Sequence, residues 1–281
     1  MWPNPLRFTR IGPRLAGTGT HDPLPAPNRP IAVTGANRGL GLAMVHQLSS
    51  AGIAVIAVCR NRERASRALH GLPRVHWMIA DLSNLDEVRK LAEDLPPLHG
   101  LIHNAGALHD AAARSPQGEE LTAACHLLGP HLLTRRLFGR LERVVYVSSG
   151  GMYLVPLALE ELQQPATPFD GIRQYAIAKR AQALLPSLYH EHLGTDTRVE
   201  VMHPGWADTP GVRSSLPRFW RWTRRWLRTP EEGAETASWL ATATLPDWQE
   251  CIWLDRRPQS CLLYTSPSPR DATLSRMPSS A

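Results

Sequence analysis

The sequence has few cysteines and no long apolar run, and both absences narrow the class of protein. Its four cysteines, in 281 residues, lie far apart without metal-ligand spacing, so we expect reduced thiols and a cytoplasmic location. No apolar stretch approaches the ~18 residues of a membrane-spanning helix, and the N-terminus lacks the layout of a secretion signal. A chain of this length that is 43% hydrophobic can bury one substantial core.

Acidic residues are missing from one segment, and this local absence explains most of the net charge of +6. Residues 213–228 carry six arginines and no acid, so the charge marks a basic face and not a basic domain. Nothing else in the chain resembles a module that reads nucleic-acid bases or backbone. We therefore expect no nucleic-acid partner.

Short apolar runs alternate with helical patterns from residue 30 onward. This alternation predicts an α/β protein with a single-domain Rossmann fold over residues 30–260, a doubly wound parallel sheet flanked by helices. The predicted strands are Ile31–Val33, Ile53–Val58, Val75–Ile79, Leu101–His103, Val144–Val147 and Val199–Met202. The predicted helices lie near residues 40–50, 62–70, 85–95, 118–140 and 173–193, and Pro186 predicts a kink or an early end in the last of them.

The two ends of the chain lack such a pattern. Residues 1–29 are rich in Pro, Gly and Thr, which predicts an extended arm leading to the core. Residues 261–281 contain Ser-Pro pairs and scattered charge without a period, which predicts a disordered tail. The composition of the tail also fits sequence that is not native to the gene.

A glycine-rich turn joins the first predicted strand to the first predicted helix. In such a unit the glycines let the backbone approach a pyrophosphate, and the backbone N–H groups and the helix dipole supply positive charge. The turn therefore predicts a dinucleotide site. Its candidate binding residues are Thr34, Gly35, Asn37, Arg38, Gly39, Leu40 and Gly41.

The second predicted strand lacks the terminal acid that typically holds an adenosine ribose diol. It ends instead in Arg60-Asn61-Arg62. A guanidinium can hold a 2′-phosphate through two parallel hydrogen bonds, and Arg38 in the glycine turn could point to the same phosphate. We therefore expect NADP(H) in preference to NAD(H), the alternative being two solvated arginines.

Tyr175 and Lys179 stand one helical turn apart on a single predicted face. A neighbouring cation favours the ionised form of a phenol, so Tyr175 could exchange a proton with a carbonyl or alcohol oxygen near neutral pH. The pair follows a buried strand that ends in Ser148-Ser149, and a serine hydroxyl there could orient the substrate oxygen. Ser149 is the preferred candidate and Ser148 the alternative. An ordinary surface pair is the alternative for Tyr175 and Lys179.

These motifs, taken in order, resemble the short-chain dehydrogenase/reductases over roughly residues 30–260. The spacing Thr-Gly-x-x-x-Gly-x-Gly matches their short single-domain branch. The resemblance implies transfer of a hydride between a nicotinamide and a carbonyl or alcohol substrate. Tyr175 would be the general acid/base, Lys179 would lower its pKa and hold the nicotinamide ribose, and Ser149 would bind the reacting oxygen. An insertion from Tyr153 to Asp170 separates serine and tyrosine, as in retinol-dehydrogenase-like members.

The resemblance also implies further cofactor contacts. Asp81-Leu82 matches the position beside the adenine, Asn104-Ala105-Gly106 matches the motif that supports the sheet and borders the cofactor, and Pro204, Gly205 and Thr209 match the loop that holds the nicotinamide carboxamide.

One catalytic position departs from the family pattern. His126 stands where the family has its fourth catalytic residue, an Asn. If the Asn acts through a water on its backbone carbonyl, His126 can substitute, whereas a need for the Asn side chain would weaken the proton relay. Simple helix packing by His126 is the remaining interpretation. A catalytically impaired NADP-binding sensor or scaffold is therefore the alternative function. A nucleotide-sugar epimerase shares YxxxK but usually differs in glycine spacing and has a larger C-terminal domain.

Residues 216–228 sort on a helical wheel into two faces. Leu216, Phe219, Trp220, Trp222, Trp226 and Leu227 would form an apolar face, and Arg218, Arg221, Arg224, Arg225 and Arg228 a basic one. The segment falls where the family carries its substrate-covering lid, so we expect a lid that closes on an apolar substrate. The alternatives are docking on a membrane surface and packing against the core or against a second subunit of a homo-oligomer.

Overall fold

A twisted eight-stranded sheet organises the chain in the computed structural model, which describes residues 5–16, 24–192 and 196–260. The strands are β1 (Ile31–Thr34), β2 (Val55–Cys59), β3 (Val75–Ile79), β4 (Leu98–His103), β5 (Leu141–Val147), β6 (Arg198–Met202), β7 (Cys251–Leu254) and β8 (Arg257–Ser260). Their order is β3-β2-β1-β4-β5-β6-β7-β8. All neighbours pair in parallel except β7 and β8, which form an antiparallel hairpin.

Helices cover both faces of this sheet. They are α1 (Gly12–Ala16), α2 (Gly39–Ser50), α3 (Arg62–Leu69), α4 (Leu85–Asp94), α5 (Leu121–Ala123), α6 (Gly129–Leu137), α7 (Leu159–Gln163), α8 (Gly171–His192), α9 (Pro210–Ser215), α10 (Pro217–Thr223) and α11 (Pro230–Leu240). A π segment, Ala124–Leu128, joins α5 to α6, and 3-10 turns span Pro5–Phe8 and Gly150–Leu154. None of the helices in the described ranges is both long and apolar enough to cross a bilayer.

The core consists of two apolar layers, one on each side of the sheet. Ile31 and Val33 of β1 pack with α2, α3 and α11 on one side, whereas Ala32 packs with α4, α6 and α8 on the other. Alternate residues of a strand point to opposite faces, so a strand buried on both sides is apolar throughout. This accounts for the apolar runs in the sequence and confirms the predicted doubly wound fold.

The six predicted strands are present, but β7 and β8 escaped prediction. They are joined by Asp255 and Arg256, both at φ +53°. Two consecutive left-handed residues form the tight turn that matches the twist of a hairpin, and Asn-Gly or Asp-Gly is the usual sequence signal for it. Asp-Arg gives no such signal. In this conformation Asp255 forms a buried ion pair with Arg228.

The described part of the N-terminal region differs from an extended arm. Residues 5–16 form a 3-10 turn and α1, and they pack back onto the domain. The Trp206 amide donates to the Phe8 carbonyl at 2.6 Å, and the Arg10 amide donates to the Trp226 carbonyl at 2.9 Å. The Phe8 ring is buried, and burial of a large aromatic ring provides the driving force for this folding back. Residues 1–4, 17–23 and the predicted tail, 261–281, lie outside the described residues.

Two helix expectations need correction. The predicted helix near 118–140 is interrupted by the π segment. Of the two alternatives for Pro186, the early end is wrong, because α8 continues past the proline to His192, and the kink stays a prediction. Proline removes one hydrogen bond and crowds the preceding turn. Burial of neighbouring Leu185 and Tyr189 against the sheet favours the continued helix.

Candidate active site

The predicted site residues converge at the carboxyl edge of the parallel strands. The chain reverses its winding between β1 and β4, which are adjacent in the sheet although β2 and β3 separate them in sequence. Ligands of open α/β sheets bind at such a switch point. A cleft there is lined by Leu40, Asn104, Gly106, Val147, Ser148, Ser149, Tyr175, Lys179, Pro204, Gly205, Ala207, Thr209 and Val212.

The glycine turn has the backbone geometry that its sequence predicts. Gly35 and Gly39 have φ values of +67° and +53°, a region that side chains disfavour. A Cβ on Gly41 would lie 2.3 Å from the Gly35 carbonyl oxygen, so only glycine lets α2 begin this close to the turn. The side chain of the N-cap residue Arg38 does not cap the start of α2, so the first-turn N–H groups are not used by a cap and suit a phosphate.

Asn104 fastens the glycine turn to the end of β4. Its side-chain amide donates to the Thr34 carbonyl at 2.9 Å, and the Thr34 hydroxyl accepts from the Asn104 and Ala105 amides at 3.0 Å. The side chains of Asn104 and Thr34 thus support the site by hydrogen bonds to backbone groups of the glycine turn and of the segment after β4. Gly106 packs against His126, because a Cβ there would lie 2.3 Å from the imidazole ring.

Arg60 and Asp81 lie close together at the ends of β2 and β3. Arg60 Nη1 is 3.8 Å from Asp81 Oδ2, and the Arg60 side chain is largely exposed. Asp81 Oδ1 accepts from the backbone and hydroxyl of Ser83, while the Leu82 side chain is buried in the core. Arg38 is exposed in an extended conformation immediately before α2, next to Asn37. The guanidinium of Arg60 is therefore accessible to an anion.

Tyr175 and Ser149 meet in the cleft. Burial raises the pKa of the Tyr175 phenol above its usual value, and a hydrogen bond with Ser149 partly offsets this. Ser148 points elsewhere, because its hydroxyl contacts Met152 Sδ at 3.0 Å and the Lys179 carbonyl at 3.3 Å. The structure therefore places Ser149, and not Ser148, against the phenol.

Lys179 is buried behind Tyr175. Its ammonium donates to the Val147 carbonyl at 2.7 Å and to Gln182 Oε1 at 2.9 Å, and it lies 5.9 Å from the centre of the Tyr175 ring. Burial lowers the pKa of Lys179 to about 8. In this structure burial is the largest influence on the pKa of Tyr175 and raises it, so the lowering expected from Lys179 stays a prediction.

His126 lies in the π segment and packs edge-on against Tyr175, with ring centres 5.2 Å apart. Its Nε2 lies 2.9 Å from the Ala107 carbonyl, and burial lowers its pKa to about 3. The Ala107 amide also donates to Nε2 at 3.2 Å, and the Nδ1 atom is buried without a hydrogen-bond partner among the described residues. The lowered pKa keeps the ring neutral near neutral pH. The side chain thus shapes the wall beside Tyr175.

The loop after β6 is fixed by contacts that the sequence did not indicate. Gly205 has φ +71°, and a Cβ there would lie 2.3 Å from Arg228 Nε. His203 Nδ1 accepts from the Gly205 amide at 2.8 Å, and the Phe8 ring lies 4.7 Å from the His203 ring. Further along, the Thr209 hydroxyl caps α9 by accepting from the Val212 amide at 3.2 Å. Phe8, in the folded N-terminal region, thus packs against the loop after β6, which lines the cleft.

Residues 216–228 do not follow the predicted helical wheel. The helix α10 ends at Thr223, so residues after it leave the helical period. Trp222 and Trp226 are 83% and 52% exposed. Arg228, assigned above to the basic solvent face, is fully buried and pairs with Asp255. Three apolar residues of the segment make inward contacts: Phe219 contacts Trp206, Trp220 Nε1 donates to Asp208 at 2.9 Å, and Leu227 is buried.

Known proteins are similar to this chain in sequence. A sequence model of the family described as short chain dehydrogenase matches residues 29–153. The chain is 36% identical to human dehydrogenase/reductase SDR family member 12 over 250 residues, which cover 83% of this chain and 78% of that protein. It is 31% identical to mouse polyprenol dehydrogenase, over 78% of this chain and 73% of that protein.

Solved structures show the same arrangement of strands and helices. An uncharacterized protein from Mycobacterium paratuberculosis aligns with a TM-score of 0.69 and 27% identity, over 82% of this chain and 81% of that one. A protein from Beutenbergia cavernae that is described as an NAD(P)-dependent gluconate 5-dehydrogenase, and was solved with NADP bound at low occupancy, aligns with a TM-score of 0.58 and 25% identity, over 79% of this chain and 92% of that one.

Proposed function

We propose that NADP(H) is the cofactor of this chain, which belongs to the short-chain dehydrogenase/reductase family. Its members are oxidoreductases of CH–OH and carbonyl groups, and so is this chain. The proposed substrate is an apolar carbonyl or alcohol. The observation that carries this proposal is the meeting of Ser149, Tyr175 and Lys179 in one cleft beside the glycine turn.

The residues of the cleft suit a dinucleotide. Gly35 and Gly41 lie too close together for a Cβ on Gly41. The missing side chains let the backbone at the start of α2 approach a pyrophosphate. Arg60, exposed at the end of β2 in place of an acid, supports recognition of a 2′-phosphate and hence NADP(H) over NAD(H). The solved relative from Beutenbergia cavernae carries NADP. When bound, the nicotinamide group supplies the hydride chemistry.

The protein's own residues handle the proton and the reacting oxygen. Ser149 would hold that oxygen through its hydroxyl, and Tyr175 would donate a proton to it in carbonyl reduction or accept one in alcohol oxidation. Lys179 has three N–H donors, of which two are used by Val147 and Gln182. The remaining donor would hold a cofactor hydroxyl, and the positive charge would stabilise the phenolate.

The segment after Ser149 supports an apolar substrate. Leu154, Leu157 and Leu159 are exposed, and Ile172, three residues before Tyr175, is exposed as well. Exposed apolar side chains that adjoin a catalytic serine and tyrosine in sequence are typical of a mouth for an apolar ligand. The similarity to mouse polyprenol dehydrogenase, which is named for an apolar alcohol, also supports an apolar substrate.

The test is a substrate screen with the full-length protein. NADPH oxidation is followed with apolar and polar carbonyls, and NADP reduction with the matching alcohols. We expect turnover with apolar members of the panel and a large loss of turnover in Tyr175→Phe. Tight NADPH binding without turnover on any member would instead support the alternative of an impaired NADP-binding sensor, which the replacement of Asn by His126 motivates.

Contact with a membrane surface is a second, separate proposal. The exposed Trp222 and Trp226 are flanked by Arg221 and Arg225, a combination that suits anionic lipid headgroups. Sedimentation with vesicles of phosphatidylserine should carry the protein down, and vesicles of phosphatidylcholine alone should not. Retention of binding after Arg221→Gln and Arg225→Gln together would contradict the proposal. Self-association into a homo-oligomer is a further expectation, tested by light scattering.

A further inference from the structure

A buried side-chain amide joins Lys179 to the backbone of the π segment. The Lys179 ammonium donates to Gln182 Oε1 at 2.9 Å, and Gln182 Nε2 donates to the His126 carbonyl at 2.9 Å. Gln182 is only 1% exposed. The amide therefore spans the distance between the ammonium and the carbonyl with two direct hydrogen bonds.

The orientation of this amide is dictated by its two partners. An ammonium can only donate, and a backbone carbonyl can only accept. Rotating the amide by half a turn would place its NH₂ against the ammonium and its oxygen against the carbonyl oxygen, and both contacts would be repulsive. Gln182 must therefore present its oxygen to Lys179.

The sequence makes both ends of the bridge available. In an α-helix the His126 carbonyl would accept from the amide of residue 130, but that residue is Pro130, which has no N–H. The α-helical donor to this carbonyl is therefore missing, and Gln182 Nε2 donates to it. Lys179 and Gln182 are three residues apart on α8, a spacing that places their side chains on one face.

Neutral groups surround the Lys179 ammonium. Burial raises the pKa of Cys125 to about 11 and lowers those of His126 and His103 to about 3, and it also raises that of Tyr175. All four groups are therefore uncharged near neutral pH, and none is a carboxylate. The carbonyl oxygens of Val147 and Gln182 are the acceptors that stabilise this buried cation.

We propose that Gln182 is a positioning residue, whose amide holds the ammonium of Lys179 protonated and in place by linking it to the His126 carbonyl. The proposal rests on the function proposed above in so far as Lys179 acts in hydride transfer. It implies that Gln182 sets the upper pH limit of activity. Turnover is lost as pH rises through the pKa of Lys179, about 8 in this structure, because the cation is then lost.

The pKa of Lys179 can be measured without any turnover. Lys90 and Lys179 are the two lysines of the chain, so protein grown with lysine labelled with carbon-13 at Cε gives two resonances. Lys90 is exposed on α4 and serves as the internal reference. The Lys179→Arg variant assigns the two signals, and titration of the full-length protein then gives both midpoints.

Two substitutions of Gln182 should move the Lys179 midpoint in opposite directions. Gln182→Met removes one of two acceptors of a buried cation and should lower the midpoint by about 1 pH unit or more. Gln182→Glu places a carboxylate beside the ammonium and should raise it. Opposite shifts are not expected from a general loosening of the fold. If Gln182→Met does not fold, the direction of the Gln182→Glu shift decides the question.

Gln174→Met is the matched control. Gln174 is a buried glutamine on the same helix, and its amide donates to the Glu161 and Leu162 carbonyls, away from Lys179. Its substitution should lower thermal stability and leave the Lys179 midpoint unchanged. An unchanged midpoint in the Gln182 variants, or an equal shift in the control, would overturn the proposal.

Kinetics then test the link to catalysis. With a substrate in hand, the basic limb of the kcat profile should move with the Lys179 midpoint in each Gln182 variant. If the titration midpoint of Lys179 shifts but the basic limb of the kcat–pH profile does not, Gln182 does not set the upper pH limit of activity. If the screen yields no substrate, the proposed function fails, whereas the spectra still decide whether the amide holds Lys179.

Discussion

Breaking the buried ion pair between Arg228 and Asp255 should strongly destabilise the protein. The two side chains are 1% and 4% exposed and pair through two contacts, Nη1 to Oδ1 at 2.6 Å and Nη2 to Oδ2 at 3.0 Å. The same guanidinium donates to the Thr9 carbonyl at 3.1 Å and to the Arg7 carbonyl. One side chain thus holds together the N-terminal residues, the segment before α11 and the β7–β8 turn.

Asp255→Asn is the cleanest perturbation. Asp255 has φ +53°, and asparagine tolerates this left-handed conformation better than most residues. The substitution therefore removes the negative charge with little change of shape. It leaves Arg228 buried with a neutral amide and the two backbone carbonyls.

The size of the effect follows from what remains around Arg228. Removing one partner of a buried ion pair typically costs about 3–5 kcal/mol, because the other charge is left uncompensated. The retained carbonyl bonds place the expected loss near the lower value. For a chain of this size, about 3 kcal/mol corresponds to a fall of roughly 6–12 °C in Tm.

An exposed arginine–aspartate pair, also joined by two hydrogen bonds, supplies the control. Arg213 and Asp208 form two parallel bonds at 2.7 and 2.8 Å, but the Arg213 side chain is 56% exposed. Arg213→Met should leave Tm nearly unchanged, since water screens such pairs. Thermal unfolding followed by circular dichroism compares the variants.

A double mutant completes the argument. Arg228→Met with Asp255→Asn removes both charges, so it should be less destabilised than the sum of the two single variants. A Tm of Asp255→Asn no lower than that of Arg213→Met would refute the reasoning, as would strict additivity of the single effects.

Three further results are expected. Tyr175→Phe should reduce turnover by about 10²–10⁴-fold and leave NADPH affinity nearly intact, because it removes a positioned acid/base; retention of more than half the activity would exclude that role. Arg60→Asp should shift preference from NADPH towards NADH, measured by fluorescence titration, since a carboxylate repels a 2′-phosphate and accepts from a ribose hydroxyl; equal NADPH affinity would show that Arg60 does not contact the phosphate. Deleting residues 261–281 should change neither Tm nor cofactor binding, because this tail has no apolar period to bury, and a Tm several degrees lower would contradict that expectation.

Local sequence patterns predicted much of the candidate site. The glycine turn, Asn104 and the pair Tyr175 and Lys179 all stand directly after strands or on one helix face, where spacing alone fixes the geometry. The preferred serine, Ser149, is the one that lies against Tyr175, and its role in binding the reacting oxygen stays a prediction. Both serines follow β5, and Ser149 has an extended backbone. Neighbouring side chains of an extended segment point in opposite directions, so Ser149 faces Tyr175 and Ser148 faces Met152.

Patterns failed where the contact partners lie far apart in the chain. Arg228 fits a basic helical wheel, yet it is buried because Asp255 and the carbonyls of residues 7 and 9 surround it. Trp222 was assigned to the apolar face, yet it is exposed although it lies within α10.

The sequence by itself therefore determined the doubly wound sheet, the dinucleotide turn and the helical turn that separates Tyr175 from Lys179. Each depends on residues a few positions apart, whose relation is set by the period of a strand or a helix. The tertiary structure alone decided how Lys179 is held and how the N-terminal residues pack. The Gln182 amide and the His126 carbonyl meet across 56 positions, and Arg228 reaches Thr9 across 219. Only packing of the whole domain brings such groups together, and only then do burial and partner geometry fix the charge of Lys179.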